Sequence, residues 1–389
     1  MRAWFVLGVG AGVLMTGLGC GDPSGAPGGG KKDLLWYFGE PGSLTKPGID
    51  SSAGLVFYYT TIRDLVALEA KTGKVRWRTT VENLGSGAAG TDIAVAQGVV
   101  AVGDIDVYGF RAATGERLWR RTGFTTNEGE RPIATDGESF FTSTVDGRFF
   151  RVDPQSGNTV WSASLAHGDS AVSAFGSAVF DDAAYVCSKR AYVGVQKGSL
   201  SAFNKHTGAR LWRFDYEPET PLRPVTWCFS SVASANGYVV AAIQDGRIIA
   251  HDPATGAIRW TSPGELGTSD LRFVASGRGV VIGISAGTER VTRLDPQNGQ
   301  VLWRNRTPGS PIGPSTPVAI GADAVVVTHS TPAVAYDLAT GEIVWKRPDS
   351  TEYDIGGAPP YRVRASPAIY DGVVYMVGTD GLRAKKIRD

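Results

Sequence analysis

Ala250-His251-Asp252-Pro253-Ala254-Thr255-Gly256-Ala257-Ile258-Arg259-Trp260 is the run on which the reading of this chain turns. An apolar strand end enters a tight turn, Gly closes it, and Trp follows four residues later. The same Gly/Trp spacing recurs at Gly73/Trp77, Gly115/Trp119, Gly157/Trp161, Gly208/Trp212, Gly299/Trp303 and Gly341/Trp345. Four residues before the Gly stand Asp153, Asn204, Asp252, Asp295 and Asp337, with Glu69 and Arg111 in the first two copies. Seven copies at a period of forty-odd residues define a repeat protein.

Each position has a physical task. Asp or Asn initiates the turn because its short side chain bonds backbone N–H groups two residues on. Pro154, Pro253 and Pro296 preset φ for the next position. The Gly supplies the positive-φ step. The alternating run after it, as in Ile343-Val344-Trp345, starts a strand, and one Trp per repeat fills one equivalent site with a large apolar body.

The spacing predicts the architecture. From Trp77 the tryptophans are 42, 42, 51, 48, 43 and 42 residues apart. One period before Trp77 stands Trp36, a Trp strand with nothing ahead of it. One period beyond Trp345 the chain ends after Leu382–Lys386, with early strands and no Trp. The two halves complete each other. The expectation is an all-β, eight-bladed β-propeller of four-stranded antiparallel blades, spanning 33–389 and closed by the N-terminal strand carrying Trp36, a monomeric ring without open ends. Inside one unit the strands read Ile133–Ala134, Ser139–Ser143, Arg148–Val152 and Thr159–Ala163, separated by Asp136-Gly137, Asp146-Gly147 and Ser156-Gly157.

Bulk properties agree with an all-β chain and exclude some functions. Of 389 residues 51 are Gly, and long helical periodicity is absent. The net charge of +1, without a block of Lys or Arg, gives no footprint for nucleic acid or an anionic membrane surface. Residues 1–19 have a basic start and a short apolar stretch, the form of a signal peptide. They end Gly17-Leu18-Gly19-Cys20, which resembles the lipobox of bacterial lipoproteins with Gly17 in place of the usual Leu. That resemblance implies lipidation of Cys20 and attachment to the periplasmic side of the outer membrane; secretion without a lipid is the alternative. Residues 20–32 have the composition of a flexible tether.

The Asp-x-x-Thr-Gly-x-x-x-Trp run resembles the tryptophan-docking repeat of the pyrroloquinoline-quinone (PQQ) type β-propellers, over about 33–389. Two groups share these repeats: quinoprotein dehydrogenases, and non-enzymatic lipoproteins of the BamB type in outer-membrane protein assembly. The dehydrogenases carry adjacent cysteines over the quinone and hold Ca²⁺ with Glu, Asn and Asp. Here the cysteines are Cys20, Cys187 and Cys228, none adjacent to another. The repeat aspartates read as turn formers, and His167, His206, His251 and His329 are scattered. No catalytic, cofactor or metal residues are assigned. The expected function is an envelope scaffold that binds a protein partner. A PQQ- and calcium-dependent dehydrogenase, or a carbohydrate- or peptide-binding propeller, is the alternative.

Departures from the repeat all fall on one face. The turn before the Trp strand keeps one length in every copy, whereas the middle hairpin at Ser188–Lys197 and the loop at 215–224 are expanded, as is the loop 348–360. Repeat insertions often mark a binding face, and drift of unconstrained loops is the competing explanation. Tyr192, Tyr216, Arg223, Trp227 and Tyr353 are the candidate partner-face residues, with core filling the alternative for Trp227. Cys187 and Cys228 are either a disulfide between consecutive blades or two buried thiols.

Overall fold

A computed structural model describes residues 34–388 apart from 43–44, 83–92, 104–105, 123–132, 145, 167–171, 193–194, 218–224, 227, 229–231, 244, 263–270, 278–279, 286–289, 307–317, 329–332, 348–366 and 379. Every element among the described residues is a strand. In chain order they begin β1 (Leu34–Phe38); β2 (Gly48–Asp50), β3 (Leu55–Tyr59), β4 (Asp64–Glu69), β5 (Val75–Thr80); β6 (Ala94–Ala96), β7 (Val99–Gly103), β8 (Val107–Arg111), β9 (Arg117–Arg121). There follow β10 (Ala134–Thr135), β11 (Phe140–Ser143), β12 (Arg148–Val152), β13 (Thr159–Ser164); β14 (Val172–Phe180), β15 (Ala183–Tyr192), β16 (Val195–Asn204), β17 (Arg210–Asp215); β18 (Val225–Thr226). Next come β19 (Ala233–Ala235), β20 (Tyr238–Ala242), β21 (Ile248–His251), β22 (Ile258–Thr261); β23 (Leu271–Gly277), β24 (Val280–Ser285), β25 (Arg290–Leu294), β26 (Val301–Arg306). The last are β27 (Val318–Ile320), β28 (Ala324–Val327), β29 (Ala333–Asp337), β30 (Ile343–Arg347); β31 (Ala368–Tyr370), β32 (Val373–Val377) and β33 (Leu382–Lys386).

Among the described residues these strands make eight sheets, each with four strands joined as antiparallel neighbours. Seven are meanders in chain order. In the eighth, β31, β32 and β33 are joined by β1, whose Trp36 pairs with Ala384. The fold is an all-β propeller of four-stranded antiparallel blades.

The core lies between blades rather than at one centre. Eight clusters of buried side chains each join neighbouring sheets, from Trp36, Tyr58 and Tyr375 at the junction of the two chain ends, through Phe57, Trp77 and Tyr108, to Val326, Ala335 and Met376. Alternation along each inner strand produces this: both faces of a blade are covered, so strands such as β3 and β7 are buried at every residue. The outermost strands have one covered face. Trp77 is buried in β5 while Val75 and Arg76 are exposed. Arginines flank the Trp in β5, β9, β17, β22 and β26, and such charge makes an edge a poor template for pairing with another chain.

Candidate functional site

Seven of the blades have the same built corner. In the copy at 250–260, Asp252 Oδ1 accepts from the backbone N–H of Ala254 and Thr255 at 2.9 Å each, and the Gly256 N–H donates to the Asp252 carbonyl at 2.8 Å. Asp153, Asn204 and Asp337 cap their turns in the same way. The hydrogen bond from Arg259 holds the Asp252 carboxyl at a pKa of about 2, with the Thr255 N–H and hydroxyl adding to it. For Asp337, also near 2, the Thr340 N–H contributes most and Arg388 next. The ladder slips by one residue just before the turn in every copy, for example between Ala250 and His251 and between Ala335 and Tyr336. These carboxylates are turn caps, as the sequence pattern implies.

The tryptophans are the joints between blades. Each indole N–H donates to a backbone carbonyl of the next sheet: Trp36 to Ala70 (2.9 Å), Trp77 to Ala112 (2.8 Å), Trp119 to Pro154 (2.7 Å) and Trp161 to Lys205 (2.8 Å). Trp212 donates to Pro253 (2.7 Å), Trp260 to Pro296 (2.9 Å), Trp303 to Leu338 (2.9 Å) and Trp345 to Ile387 (3.1 Å). In all but the last of these the acceptor is the residue after the turn-capping position, so one residue ends a turn and seats a neighbour's side chain. The Gly has a second role that the spacing within one unit conceals. A Cβ at Gly157 would lie 2.6 Å from the Trp119 ring, and one at Gly256 would lie 2.6 Å from Trp212. Each Gly therefore docks the Trp of the preceding blade, not its own.

Among the described residues, the β15–β16 hairpin departs from the repeat. β15 and β16 pair over ten residues each, from Ala183↔Asn204 to Tyr192↔Val195, while β3–β4 and β7–β8 pair over five. β17 accompanies β16 only to Ser199↔Asp215. Beyond it the Tyr216 N–H donates to the Gly198 carbonyl at 2.9 Å, and the two-residue β18 pairs in parallel with Gln196 and Lys197. Lys197 Nζ meets both oxygens of Glu217 at 2.7 Å, and Arg247 donates to the Glu217 carbonyl at 2.8 Å. Cys187 and Cys228 are joined as a disulfide, Cα to Cα 5.4 Å, and both residues are fully buried.

Of the candidate partner-face residues, Tyr216 requires correction: it is 1% exposed and packs in the cluster between two blades with Trp212, Cys187 and Cys228. Its hydroxyl is 3.0 Å from Nε2 of His251, whose Nδ1 is 2.9 Å from the Gly256 carbonyl. Nδ1 carries the proton and donates to that carbonyl; Nε2 accepts from the tyrosine. The local reason is that the Tyr216 N–H still bonds the Gly198 carbonyl beyond the last β17 pair, which holds its side chain in the cluster between the two blades, beside His251. Sequence reasoning missed this pair, although a signal existed. His251 occupies a strand position filled by Leu68, Phe110, Val152, Phe203, Leu294 and Tyr336 in the other copies, so a polar ring there requires buried partners. Tyr192 lies in β15 opposite Val195, with only its backbone described. Cys20, Arg223, Trp227 and Tyr353, the segments 1–19 and 20–32, and the loop 348–360 lie outside the described residues. Among the described residues no three His, Cys, Asp or Glu side chains could together hold a metal ion.

The comparisons agree with this geometry. The assembly factor BamB from Yersinia pestis is 26% identical over 258 residues, 63% of this chain and 60% of that protein. BamB from Vibrio cholerae is 26% identical over 245 residues, 51% of this chain and 62% of its own. The match thus spans under two-thirds of these relatives' length. The crystal structure of BamB from Moraxella catarrhalis superposes with a TM-score of 0.67 at 14% identity, covering 91% of this chain and 99% of that one. Quinohemoprotein alcohol dehydrogenase from Comamonas testosteroni gives 0.64 at 14% identity, covering 91% and 76%. At such identities the structural likenesses establish the fold and do not separate scaffold from enzyme. The family profile described as "Outer membrane protein assembly factor BamB" matches residues 30–195 and 196–387, nearly the whole of the repeat region. The chain belongs to the family of the outer membrane protein assembly factor BamB.

Proposed function

We propose that this protein is a non-enzymatic scaffold of the cell envelope that holds a protein partner in outer-membrane protein assembly. In this reading residues 1–19 direct export, Cys20 carries a lipid, and 20–32 tether a ring of eight blades closed by β1. The protein acts as a monomer without quinone or calcium. The observation that carries the reading is the long β15–β16 hairpin with its own edge strand β18, standing on a propeller whose other described corners are repeats of one design. Rigid display of one irregular feature suits recognition, because little order has to be gained on binding. Family membership supports the partner class.

Site-specific photo-crosslinking tests it. A photoreactive amino acid at Tyr192 should form an adduct with an outer-membrane barrel-assembly protein in intact envelopes. The same group at Ala339, an exposed residue in a repeat turn, should not. Equal adducts at both positions, or none at Tyr192, would remove the loop face as the partner surface.

A further inference from the structure

We propose that the Cys187–Cys228 disulfide is a redox-set clamp that holds the partner-facing edge of the propeller in its presented form, while the ring itself does not depend on it. The outer edge of β16 is covered by β17 up to Ser199, and beyond that point the backbone edge at Gln196 and Lys197 is covered by β18. A parallel pair two residues long supplies too few ladder bonds to offset the ordering of its own backbone. An external tether is required, and the disulfide supplies it. Cys228 stands two residues beyond Thr226, and Cys187 lies on β15, opposite Leu200 of β16. Cys228 also bridges to Ile243, the residue after β20, so the clamp fixes β18 between two blades.

The ring has independent support at this junction. Trp212 donates to Pro253 and stacks against His251, and Tyr185, Leu200, Val239 and Ile249 are buried around it. Neither Trp212 contact involves the Sγ–Sγ bond. Oxidation forms the Sγ–Sγ bond from two thiols and passes two electrons and two protons to a protein disulfide oxidant, which leaves as its dithiol. A compartment that keeps disulfides oxidised is where this edge is completed.

Hydrogen exchange of the purified protein tests the clamp without any partner. In Cys187→Ala/Cys228→Ala, amides of Gln196–Lys197 and Val225–Thr226 should exchange about tenfold faster or more, with protection in the other sheets unchanged. Thr226→Pro, which removes a backbone N–H from β18 and leaves both cysteines, should expose Gln196–Lys197 equally while no free thiol appears. Unchanged exchange at these amides in either variant overturns the clamp. Loss of protection throughout the propeller in the double variant also overturns it, since the bond would then be a staple of the whole fold. The inference rests on the loop-face reading above for its function, and the two fail separately. Faster exchange with an unaltered crosslink at Tyr192 would keep the clamp and remove that role.

Discussion

His251 shows how far one residue's environment can depart from its sequence context. Burial pushes its pKa down to about 4, against the partly opposing hydrogen bond to the Gly256 carbonyl. In the unfolded chain the imidazole titrates near 6.5. Below about 6.5 the unfolded state therefore takes up a proton that the folded state refuses, and stability falls with pH until the folded pKa is reached. The full stabilisation is present above about 6.5, and roughly 3 kcal/mol is lost by about pH 4. Urea unfolding of the wild type between pH 7 and 4.5 should show this decline. His251→Phe should remove that part of the slope while costing about 1–3 kcal/mol at neutral pH, because the Tyr216 hydroxyl loses its buried acceptor. An unchanged slope in the variant would assign the pH dependence to other groups. The neighbouring lesson is Tyr216 itself. An aromatic residue in an expanded loop reads as a contact residue, yet its side chain packs between two blades against a buried imidazole. Loop membership does not determine where a side chain points.

At the scale of the element, the repeat turn combines a local and a distant requirement. Gly157 has φ of +70° and would place a Cβ 2.6 Å from the Trp119 ring; Gly137 has φ of +85° and nothing within 4 Å of a Cβ. The pair separates the two costs. Gly137→Ala should lose about 1–2 kcal/mol for backbone conformation alone. Gly157→Ala should lose roughly 2–5 kcal/mol, since displacement of the tryptophan is added. Thermal unfolding of the two variants reads the difference, and equal losses would mean that the Gly is kept for its φ only. The turn itself is legible in the sequence because Asp, Thr and Gly act on backbone atoms two to four residues away. The docking of Trp119 on Gly157 is not, since those residues lie 38 apart and meet only when two blades pack.

For the whole molecule, the consequential junction is the one between the chain ends. Trp36 is 8% exposed, donates to Ala70, and packs against Tyr375 with ring centres 5.9 Å apart. Were the blades an open array, a terminal tryptophan would contribute less than an interior one, because end units have one neighbour. In the ring proposed above, closed by β1, all units have two. Trp36→Ala should therefore cost about as much as Trp119→Ala, roughly 3–5 kcal/mol each, as measured by urea unfolding. A Trp36 variant within about 1 kcal/mol of wild type, far below the usual cost of truncating a buried Trp, would show that this joint adds little to the ring.

What the sequence by itself determined was the unit: its turn chemistry, its strand alternation, the position of each tryptophan and the family likeness. All of these rest on interactions within a few residues or on simple counting. Tertiary structure alone decided which glycine seats which tryptophan, that Tyr216 faces His251, that β18 runs parallel to β16, and that Cys187 meets Cys228. Those contacts join residues roughly 30 to 47 positions apart. Their partners are selected by the packing of blade on blade, where shape and desolvation decide and residue order leaves no direct mark.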